Sequence, residues 1–142
     1  MGFEVKFQAI GLEKIQKRLS ELTANQNKEL RLGLAESVLM VHGTAVKSIQ
    51  SHQSKGIKYG KHTASTEGNP PNTDTGRLVR GIDWEVNTEN MTALVGTNVK
   101  YGPWLEFGTL KMGPRPWLLP AYIKNLKSIK DIMIKAAKEA LK

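Results

Sequence analysis

Residues 82–97 read IDWEVNTENMTALVGT. Ile82, Trp84 and Val86 alternate with Asp83, Glu85 and Asn87, and successive side chains of a strand point to opposite faces. Thr88, Glu89 and Asn90 supply a turn, after which Met91, Ala93 and Val95 resume the same period. The stretch predicts an antiparallel hairpin over 82–88 and 91–97, with its acids on the open face and its apolar residues inward. A half-buried sheet of this kind needs a covering layer.

The flanking sequence supplies one. In FEVKFQAI (3–10), Phe3, Val5 and Phe7 alternate with Glu4, Lys6 and Gln8, which predicts a third strand near 3–9 in the same sheet. After Gly11, residues Leu12, Ile15, Leu19 and Leu22 fall on one helical stripe. Leu30, Leu34, Val38, Val41, Ala45 and Ile49 then recur at threes and fours, predicting a long helix with Asn25 or Asn27 as its cap. A C-terminal helix carries Tyr122, Leu126, Ile129, Met133, Ala136 and Ala140 as its stripe. Proline fits the first helical turn, so Pro120 sets the start near Trp117 or Leu118. That stripe suits either core packing or a coiled-coil contact. The fold class is α+β: a small antiparallel sheet packed against long amphipathic helices, including a long C-terminal one.

A chain of 142 residues reads as a single domain over 1–142. Between the second helix and the hairpin, residues 51–73 lose all apolar period and are rich in Ser, Gly, Lys and His. So long a patternless stretch predicts a flexible basic loop or an arm that orders on assembly. The following TDTGRLVRG predicts a short helical turn capped by Asp74 or Thr75.

The net charge of +8 is unevenly spread. Lys47, Lys55, Lys58 and Lys61 occupy an acid-free stretch, and six lysines face only Asp131 and Glu139 in 124–142. Asp83, Glu85 and Glu89 make the hairpin locally acidic. Separate basic and acidic surfaces favour polyanions or an oppositely charged protein face. The absence of cysteine excludes disulfides, thiolate metal sites and thiol catalysis. No secretory signal is legible, and no apolar run approaches the ~20 residues that cross a bilayer.

Signs of catalysis are lacking. There is no H-E-x-x-H, no G-x-S-x-G elbow and no phosphate loop of the G-x-x-x-x-G-K-[ST] form. His42 falls on a helix, while His52 and His62 fall in the patternless loop, as solvated residues or as a metal pair shared with another subunit. No cofactor motif is visible.

Residues 101–121, YGPWLEFGTLKMGPRPWLLPA, concentrate two of the three tryptophans and four of the six prolines. Glu106 is the one carboxylate there, in the last turn of a short helix closed by Gly108. A carboxylate at a helix C-terminus opposes the macrodipole and calls for a compensating partner. Arg115, held between Pro114 and Pro116, is the candidate, and Glu106 with Arg115 reads as a structural clasp, against a catalytic acid or a solvated pair. Trp104, Phe107 and the lysines 55, 58 and 61 are interface candidates, since rigid aromatics carry protein contacts well. Core packing of Trp104 and Trp117 is the competing reading.

The stretch resembles the signature of the tail-component family of tailed bacteriophages and prophages, the gene-product-ten-like family of HK-type phages. The pattern is an aromatic, a small residue, E-x-G-T, a methionine, an arginine before proline and an aromatic, and a final P-A. Tyr101, Gly102, Glu106, Gly108, Thr109, Met112, Arg115, Pro116, Trp117, Pro120 and Ala121 match it. A second element, T-G-x-L leading into the hairpin, is matched by Thr75, Gly76, Leu78 and Ile82. Gly102 departs from the usual alanine, and Gly81 from the usual serine or other small residue. The resemblance implies a structural, non-enzymatic role with no cofactor: a ring subunit that joins the head connector to the tail, or completes the tail. Its implied partners are other copies of itself, the head connector and tail tube or terminator proteins, with incidental contact to DNA and none to membrane. Its implied location is the virion, with the bacterial host cytoplasm during assembly. Charge alone supports an alternative, a nucleic-acid-binding module using the basic surfaces.

Overall fold

The alternation in 82–97 becomes two strands of a three-stranded antiparallel sheet. In the computed structural model, which describes residues 2–7, 24–53 and 55–142, β1 is Phe3–Phe7, β4 is Ile82–Asn87 and β5 is Thr92–Thr97. The sheet order is β1-β5-β4, with β5 central. Between β1 and β4 in the chain lie helix α1 (Ala24–Ser51), a two-residue-per-strand hairpin of β2 (Lys58–Tyr59) and β3 (His62–Thr63), and the short α2 (Arg77–Arg80). After β5 come α3 (Gly102–Phe107) and α4 (Leu119–Ala140). The α+β expectation holds. Residues 8 and 9 of the expected first strand and the expected helix over 12–22 lie outside the described residues.

Register divides the sheet into two faces. Phe3, Thr97 and Ile82 are opposite one another, as are Val5, Val95 and Trp84. The alternate rows place Gly96 beside Asp83 and Leu94 beside Glu85, the acidic open face. The turn from β4 to β5 is held by the Asn87 carboxamide oxygen, which accepts the N–H groups of Glu89 and Asn90 at 2.9 and 3.1 Å. Edge strand β4 has two backbone groups taken by side chains. The Ile82 carbonyl lies 3.1 Å from His42 Nε2, which must carry the hydrogen because a carbonyl only accepts. The Trp84 N–H donates to the Asp83 carboxylate at 2.8 Å. An edge occupied in this way is a poor template for an added strand.

Helices α1 and α4 cover the other face. All six predicted stripe residues of α1, from Leu30 to Ile49, are buried. The helix already includes Ala24, so Asn25 and Asn27 lie inside it and neither is its cap. Helix α4 runs antiparallel to α1: Gly33 meets Ala136 at one end, and Asn125 Nδ2 donates to Thr44 Oγ1 at 2.8 Å nearer the other. A Cβ at Gly33 would lie 2.8 Å from the Ala136 methyl, so glycine sets how close the helices approach. Ala121, Ala136 and Ala140 are buried, with Tyr122, Ile129 and Met133 packed against the core. Leu126, expected in this stripe, is instead 43% exposed. Asn125 takes the inward position because it bonds both Thr44 and the Ala121 carbonyl. Trp84, expected inward, is 39% exposed, since it sits on an edge strand with no neighbour beyond it.

Residues 55–73, which show no periodicity, follow a course fixed by backbone bonds. Gly56 N–H donates to Ala64 O and Ala64 N–H to Ile57 O, bracketing the β2–β3 hairpin, whose turn uses Gly60 at φ 59°. Thr73 Oγ1 donates to Ile49 O at 3.3 Å and Asn72 Nδ2 to Thr63 O at 2.9 Å. Gly76, at φ 74°, caps α2 in place of Asp74 or Thr75, and the Thr75 hydroxyl is only a distant 3.4 Å acceptor for Arg77 N–H.

The helix pair yields a paired test. Gly33→Val is expected to lower stability by about 2 kcal/mol by forcing α1 and α4 apart. Gly43 lies on the same helix, and a Cβ added there would meet nothing within 4 Å. Gly43→Ala is expected to raise stability by about 0.5–1 kcal/mol through helix propensity. Chemical denaturation of both variants measures the contrast.

Candidate functional site: the clasp at residues 101–121

Helix α3 is preceded by its N-cap Tyr101, carries Pro103 in its first turn and is closed by Gly108, whose φ of 78° and ψ of 179° suit glycine alone. A Cβ there would also lie 2.8 Å from the Met112 carbonyl. Thr109 and Met112 then pair across a two-residue tip, with Thr109 N–H donating to Met112 O at 2.8 Å. The chain returns through Gly113, Pro114, Arg115 and Pro116 to the start of α4 at Leu119, one residue beyond the expected position.

Glu106 closes this excursion. Its carboxylate is 4% exposed and accepts three backbone N–H groups: Trp117 and Leu118 on Oε2 at 2.8 and 2.9 Å, and Leu119 on Oε1 at 2.8 Å. These are the orphan donors at the N-terminus of α4, the positive end of its macrodipole. The side chain that opposes the dipole of α3 therefore complements that of α4. Hydrogen bonds to a charged acceptor are worth about 1.5–3 kcal/mol each.

The expected Glu106–Arg115 pair is thus corrected in its partner. Arg115 turns the other way: Nε donates to Ser65 O at 2.9 Å and Nη1 to Gly113 O at 3.2 Å. Only its backbone joins the clasp, through N–H to Leu105 O at 2.6 Å. The reason is proximity of unmet donors. Three N–H groups with no helical partner lie next to Glu106, whereas the Arg115 fork finds the carbonyls of Ser65 and Gly113. Gly68 N–H adds a bond to Pro114 O at 2.9 Å. Arg115 therefore stitches the 55–73 segment to the clasp, a role the sequence did not reveal.

Trp117 fills the space beneath. It is 1% exposed, its indole N–H donates to Gly102 O at 3.1 Å, and its ring meets Phe3 edge-on at 6.2 Å. Phe3 also meets Phe107 edge-on at 5.3 Å. Trp104, in contrast, is 58% exposed and Phe107 66%, while Leu110 at the tip is fully exposed. Of the two tryptophans, one serves the core and one the surface. Leu78 of the Thr75-Gly76 element is buried against this region. Gly81 is explained by its neighbours, since a Cβ would collide with the Val99 side chain. Gly102 is explained likewise: a Cβ would lie 2.5 Å from Thr97 Cγ2. Thr97 is pinned, as its hydroxyl donates to Gly81 O and accepts Val99 N–H.

Beside the clasp lies a groove of about 850 Å³ whose walls include Ile57, Tyr59, Trp104 and Leu105. His62 and Asp74 face each other on it at 3.9 Å. Among the described residues, no three His, Cys, Asp or Glu side chains converge to hold a metal. His52 Nε2 is buried without a hydrogen-bond partner and makes no such group with His62. Lys55, Lys58 and Lys61 are exposed along the β2–β3 hairpin. Among the described residues, no helix is long and apolar enough to cross a membrane.

The model of the family described as bacteriophage HK97-gp10, putative tail-component, matches residues 13–108, more than half of the chain. The chain belongs to this family. The matched span takes in the Thr75-Gly76 turn, the hairpin and Glu106, and stops at Gly108, so the N–H groups that Glu106 binds lie beyond it. No curated protein and no solved structure matches the chain. The family's description as a tail component implies a location in the virion.

Two outcomes test the clasp. Glu106→Ala is expected to cost about 3–5 kcal/mol, because three donors lose a buried charged acceptor. Since the Arg115 side chain does not touch Glu106, a double-mutant cycle of Glu106→Gln with Arg115→Ala is expected to show coupling below about 0.5 kcal/mol. Separately, Gly102→Ala is expected to cost about 1–3 kcal/mol by overpacking. Thr97→Ser removes the obstructing methyl and keeps the hydroxyl, so it should relieve most of that loss. Thermal melts of the single and double variants measure both effects.

Proposed function

We propose that this phage tail component is a ring subunit that joins the head connector to the tail or completes the tail. The observation that carries this reading is the placement of Trp104, Phe107 and Leu110. Three large apolar side chains stand exposed on a turn that Glu106, Trp117 and Gly108 hold rigid. A two-residue hairpin tip ordinarily carries polar or glycine residues, so an exposed leucine there is costly unless it meets a partner. Anchors on a rigid support lose little entropy when they dock. The β2–β3 hairpin adds Ile57 and Tyr59, 68% and 62% exposed, among Lys55, Lys58 and Lys61. In this reading it is the arm that reaches a neighbouring subunit, the head connector or a tail tube or terminator protein, with DNA contact incidental to its charge. The protein works without catalysis or cofactor, and assembles in the host cytoplasm before entering the virion.

The expected outcome in light scattering on a sizing column is a discrete mass that is a whole multiple of 15.8 kDa. Trp104→Ser with Leu110→Ser should abolish that species, and the joining of heads to tails in a particle-assembly assay, while leaving the melting temperature within about 3 °C, since exposed positions contribute little to folding. Unchanged assembly by this variant overturns the reading. A single-chain mass together with DNA affinity that falls steeply with salt would favour a nucleic-acid-binding module instead.

A further inference from the structure

Helix α4 carries a second apolar stripe that the core does not use. Leu119, Ile123, Leu126, Ile134 and Leu141 are 45%, 57%, 43%, 46% and 66% exposed. Their spacings of four, three, eight and seven residues place them on one side of the helix, beside the face packed on α1. At 1.5 Å per residue the stripe is about 30 Å long. An exposed apolar strip of this length on a soluble subunit marks a contact surface. Exposed Lys127 and Lys138 line one side of it, with Lys124 and Lys135 further round, and exposed Lys130 stands within it between Leu126 and Ile134. Of the two acids in this region, Glu139 is engaged by Lys142 at 2.7 Å, which holds its carboxyl below the usual range.

The opposite charge lies on the other layer. Asp83 and Glu85 flank a shallow basin of about 390 Å³ on the sheet, with Phe3, Trp84, Leu94 and Gly96 among its lining residues. No helix covers this face among the described elements, because α1 and α4 both pack against the opposite one. Its two carboxylates are the charge complement of the lysines that run along one side of the α4 stripe. The two surfaces belong to different layers of one subunit, so a single copy cannot bring them together. Pairing α4 with α4 of another copy would set lysine against lysine.

The geometry points to a head-to-tail contact in which the lysine-bordered stripe of α4 docks on the Asp83–Glu85 sheet face of the next copy. This inference rests on the self-assembly reading above and adds to its Trp104–Leu110 anchors a second contact that the assembled species also requires. A contact of one face with a different face is heterologous, and repeated around an axis it closes into a ring.

Charge exchange tests it. One variant carries Lys127→Glu and Lys138→Glu, the other Asp83→Lys and Glu85→Lys. All four positions are exposed, and circular dichroism checks that each variant folds. Because Asp83 also caps the Trp84 N–H, Glu85→Lys alone serves as a control that breaks no bond of the fold. Each variant by itself opposes like charges at the contact and should show a single-chain mass at concentrations where the unchanged chain is assembled. Mixed in equal amounts, the two restore opposite charges at every contact, and the assembled mass should return. If both variants assemble alone as the unchanged chain does, the surface assignment is overturned and self-assembly stands. If the unchanged chain stays single at every concentration, self-docking is overturned, and binding of its stripe to anionic phosphatidylserine vesicles would identify a lipid surface as the occupant. Joining to other tail proteins is judged separately in the particle-assembly assay.

Discussion

A buried carboxylate at the junction of two helices sets the geometry of this chain. Glu106 sits where α3 ends and gathers the free N–H groups where α4 begins. Those donors would otherwise be stranded in the interior, because Trp117 and Leu118 are almost wholly buried. A helix that starts inside a core needs an acceptor from elsewhere in the chain, and one carboxylate serves three donors at once. With α4 fixed at its start, its apolar face is directed along α1, and the two helices together cover the sheet.

The same junction organises the surface. The Arg115 backbone is tied to Leu105 inside the clasp, while its side chain reaches out to Ser65. A segment with almost no apolar residues thus acquires a position without a core of its own. Bonds from Gly68 to Pro114 and from Thr73 to Ile49 complete the attachment. The groove is lined in common by Trp104 and by residues of the β2–β3 hairpin and the segment after it.

Close backbone approach is the second recurring device. Gly33, Gly81 and Gly102 each stand where a methyl group would strike a packed neighbour, respectively Ala136, Val99 and Thr97. In this chain Thr97, held by two hydrogen bonds, already fills the space a methyl group at 102 would need.

The sequence by itself determined the elements whose burial is periodic. Alternation gave the hairpin and its inward Ile82, Ala93 and Val95, though Met91 falls in the turn, threes and fours gave α1 from Leu30 to Ile49, and Pro120 set the start of α4 to within a residue. The motif of Tyr101, Glu106 and Gly108 was equally legible, and it led to the family. Tertiary structure alone decided the partner of Glu106, the outward turn of Leu126 and Trp84, and the course of residues 55–73. The physical reason is common to all of these. Periodicity records which side chains leave water along one element, but a hydrogen-bond partner or an exposed edge depends on which groups of a different element are left unmet beside it. Such groups become neighbours only when the chain has folded.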